Sequence, residues 1–350
     1  MDKKEMMFMN KTVGFYGGKF YPVHMGHVYA MTVASTMVDE LHIIVSHDEN
    51  YEVNVLSKDS KLPHVNYTQR VRWWTEITKD MPHVHVHEVY EENTGKLESW
   101  QEGAKGIRKA IGEPITHVFS SEHAYTDFFN VLYPEAEHVV VDANRDTYPV
   151  SATKLRTEGV YKNWELLPEV VRRHYVKKVV IIGTESCGKS TLVKNLATLY
   201  NTNYVEEYGR TFYEELGGCE GVTIPEDYPL IACKHKVMEY EGLKGANKLL
   251  FIDTEAIVTQ YYLKAYLGER DALLTRIANN QQYDLWIFLE PDVKWVDDGT
   301  RTFGEQSVRE QNNNDLKYML KYMGVEYITI KGNYNERLKE TIKNVENLLT

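Results

Sequence analysis

One stretch near the middle of the chain constrains its fold more than any other. The four apolar residues Val179–Ile182 lead into Gly183, and Gly188–Ser190 then opens a segment with helical spacing. This is the G-x-x-x-x-G-K-[ST] pattern in its required setting, a buried strand followed by a helix. Backbone N–H groups of such a loop surround phosphate oxygens, the lysine reaches the terminal phosphates, and the serine hydroxyl is a ligand for Mg²⁺. A glycine-rich turn with a solvated lysine would not explain the Lys-Ser pair.

The stretch therefore predicts a nucleotide-binding loop that begins its own domain. Its expected ATP-binding residues, with Lys189 as the catalytic cation, are Gly183, Thr184, Glu185, Ser186, Cys187, Gly188, Ser190 and Thr191. Because the loop normally follows the first strand of a domain, its position predicts a complete domain upstream. We place the boundary near residue 170, which gives domains 1–170 and 171–350.

Composition limits the partners of the chain. A net charge of -11 over 350 residues argues against nucleic-acid binding through a basic surface. The three cysteines form no C-x-x-C pair and are read as reduced thiols. Neither a signal peptide nor an apolar run of membrane-spanning length is evident. We therefore expect a cytoplasmic protein that does not bind membranes, and the sequence leaves homo-oligomers open.

The first domain begins with a second arrangement suited to phosphate. A short β-prone run, residues 12–16, leads into the glycine-rich segment 17–27 and then into a helix from about Val28. His24 and His27, three residues apart, place two imidazoles on one side of the first helical turn beside its backbone N–H groups. Two imidazoles beside backbone N–H groups form a suitable site for an anionic ligand. A zinc pair is the rival reading, but it lacks an evident third ligand.

The rest of the chain alternates strands and helices, which predicts an α/β fold with two doubly wound parallel sheets. Predicted strands cover residues 41–46, 83–89, 116–119, 138–141, 249–252, 285–289 and 326–330, and predicted helices cover 67–79, 99–111 and 189–200. His83, His85 and His87 alternate along one strand. We interpret them as a solvated face rather than a metal site, because residues in a row cannot converge on one ion.

Two motifs of the first domain resemble the nucleotidyltransferase superfamily. Residues 18–27 (GKFYPVHMGH) resemble its G-x-F-x-P-x-H-x-G-H signature, and residues 151–156 (SATKLR) resemble S-x-T-x-x-R. The resemblance implies that a substrate phosphate attacks the α-phosphorus of ATP and expels pyrophosphate, with Mg²⁺ as partner and His24, His27 and Arg156 as catalytic groups around the triphosphate. The implied ATP-binding residues are Gly18, Lys19, Phe20, Gly26, Ser151 and Thr153.

Residues 70–74 (RVRWW) resemble a helix of nicotinamide-mononucleotide adenylyltransferases of the NadR type. The resemblance implies substrate contacts from Arg70 and stacking of Trp73 or Trp74 on a nicotinamide ring, although both tryptophans could equally be core residues. Further residues that resemble substrate-side loops of the same family are Glu122, Tyr125, Asp142 and Arg145.

In the second domain an apolar strand delivers Asp253 beside the phosphate loop, the expected place for a Mg²⁺ ligand or a base. The motifs GTESCGKST, EYGR, FIDTE and PDVKWVDDGTR together look like the ribosylnicotinamide kinase domain of NadR-type proteins. Ser190 and Asp253 are the expected metal ligands, and Arg301 the catalytic arginine. The resemblance also implies riboside contacts and a second lid arginine for ATP, from Glu206, Tyr208, Arg210, Trp295, Asp298 and Arg309.

The resemblance covers nearly the whole chain and implies a bifunctional enzyme of NAD salvage. One domain would phosphorylate nicotinamide riboside and the other would adenylylate the mononucleotide to NAD, with ATP as a substrate of both. Two alternatives stay open at this point. One is a phosphopantetheine adenylyltransferase with a dephospho-coenzyme A kinase, and the other is a regulator that senses NAD or ATP. Because the first strand starts near residue 12, we expect no helix-turn-helix segment and no DNA binding.

Overall fold

A computed structural model describes residues 11–218, 221–293 and 305–349. The chain divides into two compact units, one ending at His174 (unit 1) and the other beginning at Tyr175 (unit 2). None of the helices in the described ranges combines the length and hydropathy that a membrane crossing requires.

Unit 1 alternates strands and helices along the chain. Its strands are β1 Val13–Gly18, β2 Glu40–His47, β3 Val84–Tyr90, β4 His117–Ser120 and β5 Glu137–Val140. Its helices are α1 Met25–Ser35, α2 Tyr67–Ile77, α3 Leu97–Ile111, α4 Thr126–Leu132, α5 Ala152–Glu158 and α6 Glu169–Tyr175, with a π-helical segment at Glu52–Leu56 and a 3-10 segment at Tyr161–Leu166.

The five strands of unit 1 form one parallel sheet in the order β3-β2-β1-β4-β5. The direction of winding reverses between β1 and β4, and ligands of such sheets bind outside the carboxyl ends of the strands at this point. One face of the sheet packs on α3 and α4 through Phe15, Ile44, Val89, Ile107 and Tyr133. This core holds the loops after β1 and β4 at a common edge.

Unit 2 repeats the alternation. Its strands are β6 Lys177–Ile182, β7 Tyr204–Val205, β8 Leu249–Asp253, β9 Leu285–Leu289 and β10 Ile328–Ile330. Its helices are α7 Lys189–Leu199, α8 Tyr208–Glu215, α9 Asp227–Gly242, α10 Ala256–Leu267, α11 Ala272–Asn280, α12 Gln306–Tyr322 and α13 Tyr334–Glu346.

The strands of unit 2 form a second parallel sheet in the order β10-β9-β6-β8-β7. The central strand β6 is covered on both faces, so Val179–Ile182 are all fully buried, as expected for a continuous apolar run in a parallel sheet. The carboxyl ends of β6 and β8 meet at one edge, and the phosphate loop leaves the sheet there. The predicted fold class, two doubly wound parallel sheets, is confirmed.

The predicted strands are all present, with bounds that differ by at most two residues. The histidine-rich strand is partly exposed, with the His85 side chain 41% accessible, and its histidines also contact neighbouring side chains. His87 Nε2 lies 2.9 Å from Nδ1 of the buried His42 on the neighbouring strand, and His85 Nε2 lies 3.5 Å from the Glu40 carboxylate. His83 precedes β3, and its ring contacts the Ser35 carbonyl. Within the described ranges, no three His, Cys, Asp or Glu side chains are grouped to hold a metal ion.

Candidate active sites

The larger cavity lies in unit 1, at the carboxyl ends of β1 and β4, and encloses about 460 Å³. Its size is that of an ordinary small-molecule site. Thirteen of the residues that the sequence predicted for this domain line it, namely Gly18, Lys19, Phe20, His24, Gly26, His27, Glu122, Tyr125, Asp142, Arg145, Ser151, Thr153 and Arg156. The structure therefore brings both predicted motifs to one volume.

The two histidines hold each other at the start of α1. His24 is the N-cap residue, and its Nδ1 accepts a hydrogen bond from the His27 backbone N–H at 3.3 Å. His27 Nδ1 accepts in return from the His24 backbone N–H, also at 3.3 Å, and the two rings stack with centroids 3.5 Å apart. Because each Nδ1 is an acceptor, each neutral ring carries its proton on Nε2. Both Nε2–H groups are thereby left as donors for a ligand.

Electrostatics keep both imidazoles neutral. Burial, and to a smaller extent the positive charge of Arg145, together lower the pKa of His24 to about 3. Burial also places the pKa of His27 well below its usual value, with smaller contributions from His24 and Arg145. The pair can therefore donate hydrogen bonds to an anion at neutral pH without gaining a proton.

Two cations complete the phosphate side of this cavity. Arg156 donates to the Tyr21 carbonyl at 2.6 Å and to the Thr153 hydroxyl at 3.0 Å, which fixes its guanidinium at the end of α5. The Lys19 ammonium is buried without a hydrogen-bond partner among the described residues, and this burial lowers its pKa. A buried amine without a partner is costly unless a ligand satisfies it. Lys19 therefore marks a place for an anionic ligand.

The predicted substrate side is built from loops after β4 and β5. Arg145 pairs with Glu122 at 3.0 Å, and the Asp142 carboxylate accepts from the backbone N–H of Asp146 at 2.9 Å. Asp142 and Arg145 both have positive φ, at 52° and 58°. Non-glycine residues in this region carry strain that often accompanies binding sites. The Ser151 side chain caps α5 by accepting from the Lys154 N–H.

Three predicted substrate residues do not reach the cavity, and the prediction for them is wrong. The side chains of Trp73 and Trp74 are 1% and 0% exposed, and they pack against His174 and Phe20 respectively. Arg70 is also 0% exposed. A helix that packs on a sheet buries one stripe, and these side chains belong to that stripe of α2.

Sequence reasoning missed an inner part of the same cavity. Its wall is aromatic, with Trp100, Phe129 and Tyr133 lining it, and Glu91 reaches it from the end of β3. The signal that could have identified this region was the WQEG segment that follows a charged loop, with Trp100 near the start of a helix.

The phosphate loop of unit 2 is shaped by its glycines and by contacts to one carbonyl. Gly183 has φ 146°, and a Cβ there would lie 2.7 Å from the Leu289 carbonyl oxygen, so no side chain fits. The Thr184 carbonyl accepts from the Cys187 thiol at 3.1 Å and from Lys189 Nζ at 3.2 Å. Thus Cys187 stabilises the turn, and Lys189 is held at its centre.

A buried arginine from the last long helix ties the loop to the sheet. The Arg337 side chain donates to the backbone carbonyls of Cys187, Glu290 and Gly332, and it pairs with the Asp292 carboxylate. Arg337 is 1% exposed. The loop is therefore pre-organised by a residue 150 positions further along the chain.

Asp253 lies where the sequence predicted it, at the end of β8 and almost fully buried. The Thr254 hydroxyl donates to the Asp253 carboxylate at 3.3 Å. Burial, and to a smaller extent the negative charge of Glu207, raise the pKa of Asp253, while the positive charge of Lys189 and the neighbouring Ser190 hydroxyl lower it. Carboxylate and hydroxyl oxygens are thus adjacent at the start of α7.

A smaller cavity of about 100 Å³ opens beside this loop. It is lined by the predicted residues Glu185, Ser186, Lys189, Tyr208 and Arg210, together with Glu207, Tyr213, Tyr228, His235, Glu255, Tyr262 and Tyr266. Tyr266 donates to the Glu185 carboxylate at 2.6 Å, which links α10 to the phosphate loop.

The prediction that Glu206 contacts the riboside is also corrected by the structure. Its side chain is exposed and pairs with Lys194 at 2.7 Å, outside the residues that line the cavity. The neighbouring Glu207 lines the cavity instead and lies 3.7 Å from Arg210. Adjacent residues in an extended segment point in opposite directions, so only one of the two glutamates can face the loop.

The remaining predicted residues of unit 2 are placed as follows. Arg309 is buried in α12 and shares a small cavity with Thr184 and Glu185, beside the phosphate loop. Thr191 is exposed in the first turn of α7. Trp295, Asp298 and Arg301 lie outside the described residues.

Comparison with known proteins supports both halves. Residues 15–158 match the cytidylyltransferase-like family, and residues 178–337 match an AAA domain family. The trifunctional NAD biosynthesis/regulator proteins NadR of Salmonella typhimurium and Escherichia coli are each 32% identical to this chain over 349 residues, which cover 97% of the chain and 84% of the relative.

Solved structures agree on the fold. A crystal structure of NadR protein in complex with NR has a TM-score of 0.78 at 23% identity. A crystal structure of NadR protein in complex with NAD and AMP-PNP has a TM-score of 0.76 at 22% identity. Each comparison covers 97% of this chain and 96% of the other.

Proposed function

The chain belongs to the NadR family, and from this we propose that its two cavities carry out successive steps of NAD biosynthesis. Unit 2 is a ribosylnicotinamide kinase that uses ATP to convert nicotinamide riboside to the mononucleotide. Unit 1 is a nicotinamide-mononucleotide adenylyltransferase that uses a second ATP to form NAD and pyrophosphate. The observation that carries the assignment is the presence of two separate phosphate-binding arrangements, each with its own cavity, in one chain.

In unit 1 the cavity residues promote attack by the phosphate of the mononucleotide on the α-phosphate of ATP. A phosphate oxygen of the mononucleotide attacks the α-phosphorus of ATP, and the bond to the β-phosphate oxygen breaks. Negative charge develops on the leaving pyrophosphate, where His24 and His27 donate hydrogen bonds and Lys19 and Arg156 supply fixed positive charge. Such positioning and charge stabilisation supply most of the rate of reactions that form no covalent intermediate.

In unit 2 the 5′-hydroxyl of the riboside attacks the γ-phosphorus of ATP, the bond from that phosphorus to the β–γ bridging oxygen breaks, and ADP leaves. Lys189 neutralises charge on the transferred group, as in other phosphate-loop enzymes. We propose Glu207 as the group that accepts the hydroxyl proton, because its carboxylate lines the cavity beside Arg210 and its negative charge acts on both Lys189 and Asp253. Asp253, nearly fully buried, is better suited to hold a metal than to meet the substrate.

The donor set fits Mg²⁺. Ser190 and Asp253 present adjacent hydroxyl and carboxylate oxygens at the start of α7, and magnesium prefers oxygen ligands, part of them from substrate phosphates. A bound Mg²⁺ would neutralise charge on the β- and γ-phosphates. We propose that Arg309, which lies beside the phosphate loop, contacts ATP. We also propose that Trp295 and Asp298 contact the riboside and that Arg301 contacts the transferred phosphate.

The test separates the two sites. Full-length protein is incubated with nicotinamide riboside, ATP and Mg²⁺, and the products are separated by chromatography. Wild type should form both the mononucleotide and NAD. Lys189→Ala should abolish riboside phosphorylation while adenylylation of added mononucleotide continues, and His27→Ala should do the reverse.

Lys194→Ala is the matched control, since this lysine lies on the same helix but is half exposed and pairs with Glu206 on the surface. It should leave both activities unchanged. If Lys189→Ala or His27→Ala silenced both activities in a folded protein, the two-site assignment would be wrong.

A further inference from the structure

The Arg337 guanidinium contacts the phosphate loop of unit 2 with one nitrogen and the loops that follow β9 and β10 with the other two. Its Nε donates to the Gly332 carbonyl at 2.7 Å, and its Nη1 donates to the Cys187 carbonyl. Its Nη2 donates to the Glu290 carbonyl at 2.8 Å and to the Asp292 carboxylate. A planar fork can join three segments in this way, whereas the single nitrogen of a lysine cannot.

The contact with Cys187 fixes the orientation of one peptide unit in the phosphate loop. The Cys187 carbonyl and the Gly188 N–H belong to the same planar trans peptide, so they point in opposite directions. Because the carbonyl accepts from Arg337 on one side, the N–H faces the other side. Gly188 is the N-cap residue of α7, so this N–H joins the free N–H groups at the start of that helix. Such a group of N–H donors is where a phosphate binds.

Glycine at position 188 makes this orientation easy to lose. A peptide turns over when ψ of the residue before it and φ of the residue after it change together, and glycine adopts φ of either sign. Gly188 has φ 87° in the structure. If the peptide turned over, its carbonyl oxygen would face the bound phosphate, and two negative groups would then lie close together. The donor on the outer side of the loop therefore selects the orientation that suits ATP.

The first turn of α13 presents a second side chain to the same glycine. A Cβ on Gly188 would lie 2.9 Å from Tyr334 Cε1 and 3.8 Å from Arg337 Nη1. Tyr334 and Arg337 are three residues apart, so they share one side of the helix. Asn333 fixes the start of this helix, because its side chain accepts from the Glu336 N–H at 3.1 Å. The start of α13 is thus packed against the glycine whose peptide Arg337 orients.

We infer that Arg337 is a positioning residue for the kinase reaction and acts through the peptide unit between Cys187 and Gly188. By holding the Cys187 carbonyl outward, it keeps the Gly188 N–H aimed at a phosphate of ATP. Because each of its three nitrogens donates to a protein oxygen, Arg337 acts on ATP indirectly and sets the affinity for the nucleotide rather than for the riboside. This inference rests on the proposed kinase function and adds to it a residue far outside the phosphate-binding motif.

The test measures kinase rates of four full-length proteins over a range of ATP concentrations and, separately, of riboside concentrations. The proteins are wild type, Arg337→Lys, Arg337→Ala and Lys339→Ala. Arg337→Lys keeps a positive charge but loses the planar fork. Lys339→Ala is the matched control, since this lysine is exposed two residues further along the same helix. Formation of NAD from added mononucleotide by unit 1 shows that the rest of each protein is intact.

Arg337→Lys should raise the KM for ATP about tenfold or more, the effect of weakening hydrogen bonds that involve a charged group. The KM for the riboside should change less than about threefold, because a loss of uniform ATP binding leaves riboside binding in place. A change that only destabilised the fold would instead lower the amount of active enzyme and leave the KM for ATP unaltered. Lys339→Ala should match wild type.

Arg337→Ala allows a chemical rescue. It should lower kcat/KM for ATP about a hundredfold, because the guanidinium is lost altogether. Guanidinium chloride, at concentrations well below those that unfold proteins, should restore at least about tenfold of this loss, because the free ion presents the same planar donors. Methylammonium chloride at the same concentration should restore none, since it carries the charge without the fork.

A wild-type KM for ATP in a folded Arg337→Lys would overturn the inference. So would equal rises in the KM values for ATP and riboside, or a folded Arg337→Ala that guanidinium does not restore. If neither variant folded, Tyr334→Ala would decide, because this half-exposed side chain packs on Gly188. Its KM for ATP should rise about threefold or more, and an unchanged value would overturn the inference. Absence of riboside phosphorylation by wild type would instead refute the proposed kinase.

Discussion

The Arg70–Glu52 pair offers a sharp test of the assignment of side chains in unit 1. Arg70 Nη2 lies 2.6 Å from Glu52 Oε2, and the two side chains are 0% and 1% exposed. Arg70 also donates to the Lys19 carbonyl at 2.5 Å. The sequence predicted Arg70 as a substrate ligand, whereas the structure makes it the partner of a buried carboxylate that supports the loop after β1.

Arg70→Met should therefore act mainly on stability. It leaves the Glu52 carboxylate buried and without its main partner, and breaking a buried pair in this way costs about 3–5 kcal/mol. For a domain of this size the loss corresponds to a fall of roughly 6 to 20 °C in Tm. The double variant Glu52→Gln/Arg70→Met should lose less than the sum of the single variants, because the uncompensated charge is removed.

Calorimetry of the full-length protein measures this, since nicotinamide riboside, a substrate of unit 2 alone, should shift the unfolding transition of unit 2 upward and leave that of unit 1 in place. Arg72→Met is the matched control, an exposed arginine two residues further along the same helix, and should change the free energy of unfolding by less than about 0.5 kcal/mol. A Tm within about 2 °C of wild type for Arg70→Met, combined with a raised KM for the mononucleotide, would refute the reasoning and restore Arg70 as a substrate ligand.

Three further predictions concern the two sites. Because the pKa of His24 is lowered to about 3, its ring stays neutral from pH 8 to pH 5.5 in the folded protein. The rate of adenylyl transfer should therefore not fall through histidine protonation in that range. The free energy of unfolding of unit 1 should nevertheless decrease as pH falls below about 6.5, because His24 then binds a proton in the unfolded chain but not in the folded one. A fall in rate centred near pH 6.5 would contradict this. Glu207→Gln should lower kcat of the kinase by about 10²- to 10⁴-fold and leave adenylylation unchanged, whereas Glu206→Gln should leave both unchanged; equal effects of the two substitutions on kinase rates would be inconsistent with the placement of Glu207. Gly183→Ala should abolish ATP binding by unit 2 in equilibrium titration, because a Cβ would lie 2.7 Å from the Leu289 carbonyl, and a wild-type affinity would show that the loop can move.

Sequence predicted the parts that depend on local patterns. Continuous apolar runs such as Val179–Ile182 identify buried parallel strands, and the glycine and histidine spacings identify the loops that leave them. Helices that bury polar side chains beside apolar ones were harder to predict. Helix α9 buries Asp227, His235 and Glu239 beside apolar residues, so its sequence lacks a clear amphipathic period.

The site residues also fall into two groups, those located by a local motif and those whose position depends on tertiary packing. Residues on the loops after β1 and β6 were placed by their motifs, because the motif itself fixes the backbone. Arg70 and Trp73 were misassigned because a helix motif does not show which face packs on the sheet. Arg337 was missed because its role depends on a contact with a distant segment, a carbonyl 150 residues away.

That separation has a consequence for synthesis of the protein in the cell. The phosphate loop leaves the ribosome long before Arg337, which later donates to its Cys187 carbonyl. At roughly 5–20 residues per second, the 150 intervening residues take roughly 8 to 30 seconds to translate. During that interval the nascent loop lacks the arginine that holds it. The kinase half therefore acquires its final nucleotide site only after Arg337 has been made, by which time every motif of unit 1 has already been translated.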